Sequence, residues 1–207
     1  MKIAVIGSSG KSGLKFIDNA INQSFQIRAG INRDNKLKEN ANLEIVKCNA
    51  LDLDQVINLL TGCQAVVSLI GHKRNSPADL QSKSIENVIE AMKKNGIKRL
   101  VSLTGTGVRV KGDKITIIDR ILNFTIKLID PKRIKDGIKH AEIINKSDLD
   151  WTIIRVLKLH DLYTGKFKLS QNGPTKILAS RIEVAQAILQ TLNDESYLKK
   201  LPILSKI

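Results

Sequence analysis

The sequence predicts an α/β fold, a single domain built on a doubly wound parallel sheet. Three observations carry that reading. The first thirteen residues, Met1 to Gly13, pass from a short apolar stretch rich in β-branched residues (Ile3, Val5, Ile6) into Gly7, Gly10 and Gly13, and then into the helical pattern Leu14-Lys15-Phe16-Ile17. Strand-length apolar runs alternate with helical patterns from there onward, the interval of right-handed βαβ units. The run Ala65 to Gly71 is apolar almost without break, as a strand buried on both faces should be.

Each element follows in order. The first helix is expected from about Gly10 to Asn22, and the second strand over Phe25 to Ile31, ending in Asn32-Arg33-Asp34. Leu43 to Cys48 reads as the third strand with Asn49-Ala50-Leu51-Asp52 as its outlet, and Asp54 to Leu60 as a short helix stopped by Gly62. The fourth strand, Ala65 to Gly71, leads into a polar loop from His72 to Asp79. Asp79 to Asn95 is a helix with Ile85, Val88, Ile89 and Met92 on one face and Gly96 closing it. Arg99 to Leu103 is the fifth strand, followed by a Thr104-Gly105-Thr106-Gly107 loop. Ile115 to Ile129 is helical, Pro131 interrupts, and Lys132 to Lys146 resumes. Trp151 to Leu157 is the sixth strand, with Trp151 in the core, and Phe167-Lys168-Leu169 a short extended piece. Gly173-Pro174 turns the chain, Ser180 caps a last helix to about Leu192, and Leu201 to Leu204 is expected as an edge strand, where its proline is tolerated. His140, on the helix after Pro131, is expected at the surface or half-buried, and no repeat or linker divides the chain.

Composition bounds the function. Aromatic residues are only 3% of the chain, so Ile, Leu and Val must make most of the core. No apolar run approaches the roughly 20 residues needed to cross a bilayer, so no membrane insertion is expected. The N-terminal apolar segment is too short for a signal peptide. Cys48 and Cys63 fit neither a disulfide framework nor a metal motif, which points to a reduced, cytoplasmic setting. The net charge of +14 raises affinity for polyanions without specifying a fold. Its excess lies in the middle, where Lys93 to Lys139 hold 13 Lys and Arg against 4 Asp. Phe124 is the one aromatic residue there, so the stacking platform of a single-strand binder is missing and no specific nucleic-acid partner is expected.

The glycines carry the chemistry. Gly7 would turn the chain sharply, Gly10 would let the backbone approach a pyrophosphate, and Gly13 would let the helix pack close on the strand. The helix N-terminus adds unpaired N–H donors and partial positive charge, Ser8, Ser9 and Ser12 add hydroxyls, and Lys11 adds a cation. An acidic residue at the tip of the second strand would grip a ribose 2′-hydroxyl. This chain offers neutral Asn32 and then Arg33, whose planar fork suits a 2′-phosphate, so NADP(H) is favoured over NAD(H). Asp34 is assigned to the following turn.

Gly7 to Gly13, Arg33-Asp34, Ala65 to Gly71, Asn87 to Lys93, Ala141-Glu142 and Asp150 to Arg155 recur in familiar order and spacing. Together they resemble the NAD(P)H-binding atypical short-chain dehydrogenase/reductase family. That group contains the NmrA-like proteins and the flavin reductase also called biliverdin-IXβ reductase. The resemblance implies a Rossmann domain over the whole chain with NADPH in an extended pose. It places Gly7, Ser9, Gly10, Lys11 and Ser12 on the pyrophosphate, Arg33 on the 2′-phosphate, Asn49, Ala50 and Leu51 near adenine, and Ile70, Gly71 and His72 near the ribose. It implies an acceptor side built from loops at about 105–114 and 157–175. In the flavin reductase a Thr-Ser pair after the fifth strand faces the hydride-transfer site. The matching positions are Thr104 and Gly105, so the hydroxyl falls to Thr104, or to Thr106 after a small shift. The family's proline after the sixth-strand arginine is Val156 here.

The Tyr-x-x-x-Lys pair of alcohol dehydrogenation is absent, since Tyr163 and Tyr197 precede Phe167 and Leu201 by four. Reduction of an electron-poor planar ring needs less of the protein, chiefly orientation of nicotinamide and acceptor. Three functions follow: an NADPH-dependent reductase of flavin, quinone or a similar acceptor; an NADP(H)-sensing regulator acting through a protein partner; and a nucleic-acid-associated protein supported by charge alone. His160 and Asp161, after the sixth strand, are expected near the acceptor side in either a structural or a functional role.

Overall fold

Strands and helices alternate from the first residues of the chain. The computed structural model describes residues 1–33, 37–72, 75–162, 165–175 and 178–206, with Lys206 by its backbone alone. In order they form β1 (Lys2–Ile6), α1 (Lys11–Asn22), β2 (Gln26–Ile31), β3 (Leu43–Lys47), α2 (Leu53–Leu60), β4 (Ala65–Ser68) and α3 (Leu80–Lys94). Then follow β5 (Arg99–Gly105), α4 (Ile117–Ile129), α5 (Pro131–Asn145), β6 (Asp150–Val156), β7 (Lys158–His160), β8 (Phe167–Ser170), β9 (Leu178–Ser180), α6 (Arg181–Leu192) and β10 (Ile203–Lys206).

Local chemistry sets the helix starts. Asp52 caps α2 by accepting the Gln55 N–H at 3.1 Å, and Pro131 opens α5 with Asp130 accepting from Arg133 N–H at 3.2 Å. Ser180 and Glu183 form a reciprocal capping box at the start of α6. α1 differs, because its cap is Gly10 and no side chain caps its first turn.

The main sheet has the order β3-β2-β1-β4-β5-β6-β10-β8. Its first seven strands are mutually parallel and β8 closes it antiparallel to β10. Both faces of the central strands are buried, and period-two alternation divides each of them between the two layers. Along β1, Ile3 and Val5 join the layer of α1 and α6, whereas Ala4 and Ile6 join that of α2, α3 and α5. Along β6, Trp151 and Ile153 face α3 and α5, and Ile154 and Val156 face α6.

Several expectations need correction. β10 is not an edge strand: it lies between β6 and β8, and Pro202 precedes it, leaving its carbonyl to accept the Arg155 N–H at 2.8 Å. β5 continues to Gly105, so Thr104 and Gly105 belong to the strand and not to the loop, because β6 pairs with it as far as Val156. β4 ends at Ser68, leaving Leu69 to Gly71 as outlet. The parallel pair β7–β9 went unforeseen. His140 is buried, its Nε2 3.0 Å from Ser102 Oγ, since α5 turns that face onto the sheet. Asp34 and Tyr163 lie outside the described residues.

Candidate functional site

The strand order reverses between β1 and β4, and there the carboxyl ends of the strands open into a cleft of about 790 Å³. Its floor is Gly7, Ser9, Gly10, Lys11 and Ser12 from the β1–α1 turn. Asn32 and Arg33 close one end beyond β2, Asn49, Ala50 and Leu51 stand beyond β3, and Ile70, Gly71 and His72 line the side beyond β4. All thirteen residues expected to hold a dinucleotide meet in this one cleft. Ser76, Pro77 and Leu80 add a wall that the sequence did not single out, as does Arg181 at the start of α6. Arg181 carries no motif, and only the packing of α6 against α1 brings it there.

The floor has the shape of a phosphate cradle. Gly7 has φ +81°, and a Cβ on it would stand 2.7 Å from the backbone of Leu69, so the turn lies flat on the β4 outlet. A Cβ on Gly13 would stand 2.6 Å from the Ser8 carbonyl oxygen, which is why α1 can sit so close to β1. With Gly10 as cap, the first-turn N–H groups of α1 meet no side-chain acceptor among the described residues, and the positive end of the helix faces the cleft. Ser8 does not serve as a donor to the cleft: it is fully buried and its hydroxyl donates to the Gly30 carbonyl, tying β1 to β2. Lys11 and Arg181 converge on Asp161, at 3.8 Å and 2.8 Å. The Arg181 hydrogen bond holds the Asp161 carboxyl below its usual range. Asp161 thus sits at the cofactor mouth, while the His160 ring accepts the Leu162 N–H at 3.2 Å.

At the other end of the cleft His72 is fixed from two sides. Its Nε2 lies 2.9 Å from Asp136 Oδ2, and its carbonyl accepts from Arg133 at 3.0 Å. Asp136 also accepts the N–H groups of Gln81 (2.7 Å) and Ser82 (3.0 Å), so a carboxylate from α5 caps α3 where Asp79 gives no side-chain cap. Thr104 is buried, and its hydroxyl points toward α5, where a Cβ on Gly137 would come within 3.4 Å of Oγ1. It is not among the cleft walls. A Cβ on Gly105 would approach no neighbouring atom closer than 3.9 Å, so that position has room for a side chain.

The loops beyond β5 and β6 are held by two ion pairs. Arg155, fully buried, donates to both Asp113 oxygens (2.6 and 2.9 Å) and to the carbonyls of Val108, Gln171 and Leu201. Arg109 makes a two-pronged pair with buried Asp119 at 2.8 and 2.9 Å. Burial, the largest single influence, would raise both carboxyls, but the hydrogen bonds each accepts and the charge of its arginine together outweigh it and hold both below the usual range. Burial pushes the His140 imidazole down to about 4, so it is neutral at pH 7.

A parallel sheet with a glycine cradle at its reversal point defines a dinucleotide-binding Rossmann domain. The chain belongs to the NAD(P)H-binding family, whose model matches residues 7–195. Solved structures share the fold at low identity. The oxidoreductase ylbE from Lactococcus lactis is 18% identical with a TM-score of 0.85, over 100% of this chain and 91% of that one. A short-chain dehydrogenase/reductase from Veillonella parvula in complex with NADP is 13% identical with a TM-score of 0.82, over 99% and 94%. ChuY, an anaerobillin reductase from Escherichia coli O157:H7, is 19% identical with a TM-score of 0.80, over 100% and 97%.

Proposed function

We propose that the protein is an NADPH-dependent reductase of a flavin, quinone or similar planar acceptor, working by direct hydride transfer. The observation that carries this reading is the cleft, to whose lining a helix N-terminus capped only by Gly10, Lys11, Arg181 and Arg33 supply positive groups. Bound NADPH supplies a hydride from its nicotinamide ring. The β1–α1 backbone and Lys11 bind the pyrophosphate, Arg33 the 2′-phosphate, and Asn49 to Leu51 flank the adenine. His72, fixed by Asp136, borders the ribose and leaves Gly71 facing open space. The acceptor lies over the ends of β5 and β6, where no phenol–lysine pair is needed because the reduced ring takes its proton from solvent. ChuY, an anaerobillin reductase of the same fold, supports the choice of a reductase. Two free, buried cysteines agree with a reducing, cytoplasmic setting.

NADPH oxidation measured across FMN, riboflavin, quinones and biliverdin tests the reading, with turnover expected for at least one. Tight NADPH binding with no turnover across that panel would favour an NADP(H)-sensing role of the NmrA-like kind, for which the inward-turned Thr104 hydroxyl and the side-chain-free Gly105 speak. In calorimetry Arg33→Ala is expected to weaken NADPH by about tenfold or more and leave NADH unchanged, the worth of a charge-assisted phosphate contact at about 1.5–3 kcal/mol. Equal wild-type affinity for the two cofactors would remove Arg33 from the 2′-phosphate.

A further inference from the structure

α4 is built inside out. Of its 13 residues only Asp119 is buried, and among the described residues none of its side chains joins either core cluster. Ile117, Ile118, Ile121, Phe124, Leu128 and Ile129 are instead between 45% and 79% exposed. Ile117, Ile121, Phe124 and Leu128 recur at the i, i+4, i+7, i+11 spacing that forms one stripe along a helix. The opposite face carries half-buried Leu122 and Ile126 together with two polar side chains that tie it down: Asp119 takes the two-pronged bond from Arg109, and Asn123 donates to Thr106 at 3.1 Å. That inner network fixes the rotation of the helix, so the stripe cannot turn inward without breaking a buried ion pair.

A contiguous apolar face of this size marks a surface that something covers, and charge decides what. Arg120 and Lys127 run along one flank of the stripe, and α5, which packs against α4, presents exposed Lys132, Lys135 and Lys139. The acids of α4 and of its junction with α5 are already engaged, Asp119 with Arg109 and Asp130 with Arg133. A second copy set on this face would bring those cations against their own counterparts in a chain of net charge +14. An anionic lipid surface neutralises them and accepts the apolar side chains. We propose that the α4 face docks on anionic phospholipid bilayers, with Phe124 and Leu128 at the acyl-chain boundary and the α4 and α5 cations on headgroup phosphates. The docking is peripheral, since no described helix is long and apolar enough to cross a membrane.

The test is co-sedimentation of the full chain with phosphatidylcholine vesicles containing about a third phosphatidylglycerol, against phosphatidylcholine alone. Binding is expected to the anionic vesicles, weaker by about tenfold or more on neutral ones and at several hundred millimolar salt. The double variant Phe124→Ser/Leu128→Ser should lose about tenfold or more of that binding while keeping its melting temperature and NADPH affinity. Lys132→Ser/Lys135→Ser should lose binding on anionic vesicles too. No binding to anionic vesicles overturns the proposal, as does equal binding by the serine variants. So does a wild-type dimer at micromolar concentration, in sedimentation velocity, that Phe124→Ser/Leu128→Ser turns into a monomer.

Discussion

The dinucleotide cradle and the loops beyond β5 and β6 are built by different physics. At the cofactor edge, from Met1 to Arg33, short-range sequence dictates shape: glycines permit backbone approach, a β-branched run makes the strand, and the helix end supplies the field. Beyond β5 and β6 the loops have few apolar anchors, and buried ion pairs hold them. Arg155 gathers Val108, Asp113, Gln171 and Leu201 from three separate stretches of chain. The cradle is thus fixed by local steric fit, whereas the loops depend on long-range polar clamps. Sequence change in those loops therefore leaves the cradle undisturbed.

The largest expected effect is on the clamp. Arg155→Met strands Asp113 as a buried, unpaired carboxylate and should cost about 3–5 kcal/mol of stability in urea unfolding. NADPH affinity of the folded variant should change little, because Arg155 is not part of the cleft. A parallel collapse of cofactor binding would erase the distinction between the two regions.

Next comes acid. The His140 imidazole stays neutral in the fold down to about pH 4 but protonates near 6.5 once unfolded. Unfolding therefore takes up a proton between those values, so stability is complete above about pH 6.5 and falls as pH drops toward 4. The loss should be on the order of 3 kcal/mol across that window. Asp113 and Asp119, held low by arginine, add their own losses only at lower pH still. His140→Leu should flatten the upper window and leave the lower one; an unaltered slope from pH 6.5 to 4 would remove His140 as its source.

Smaller again is Gly13→Ala, which pushes α1 off the Ser8 backbone and should cost about 1–3 kcal/mol in thermal unfolding. Its NADPH affinity should fall by more than tenfold, because the helix end leaves the pyrophosphate. Unchanged affinity would show that the cradle tolerates a side chain there.

Thr104→Ala should do least, about 1–2 kcal/mol or five- to thirtyfold in single-turnover NADPH oxidation, since its hydroxyl is turned to α5. Gly105→Ser, which has room for its side chain, should act in the opposite direction by placing a hydroxyl at the strand end. A fall beyond a thousandfold for Thr104→Ala with cofactor binding intact would make Thr104 an acid or relay.

The sequence alone determined the parallel sheet, the order of its first six strands along the chain, and the glycine turn that floors the cleft. Those follow from periodicity and from glycines such as Gly7 and Gly13, at which any side chain would collide with backbone, signals written within a few residues of each other. Asn49 to Leu51 and Ile70 to His72 came instead from the family resemblance, and the structure lines the cleft with them. Helix bounds such as Pro131 and Ser180 were legible for the same local reason. Tertiary structure alone decided that β10 is internal, because strand order depends on pairing between residues 155 and 203 and not on the strand's own composition. It alone buried His140 against Ser102, capped α3 with Asp136 from another helix, and brought Arg181 to the cofactor mouth. It also turned the apolar stripe of α4 to solvent, which periodicity assigns to a core face, because Asp119 had a buried arginine-bound place to fill. Each of these rests on contacts between residues far apart in the chain, or on a choice between two faces that the sequence period leaves equivalent.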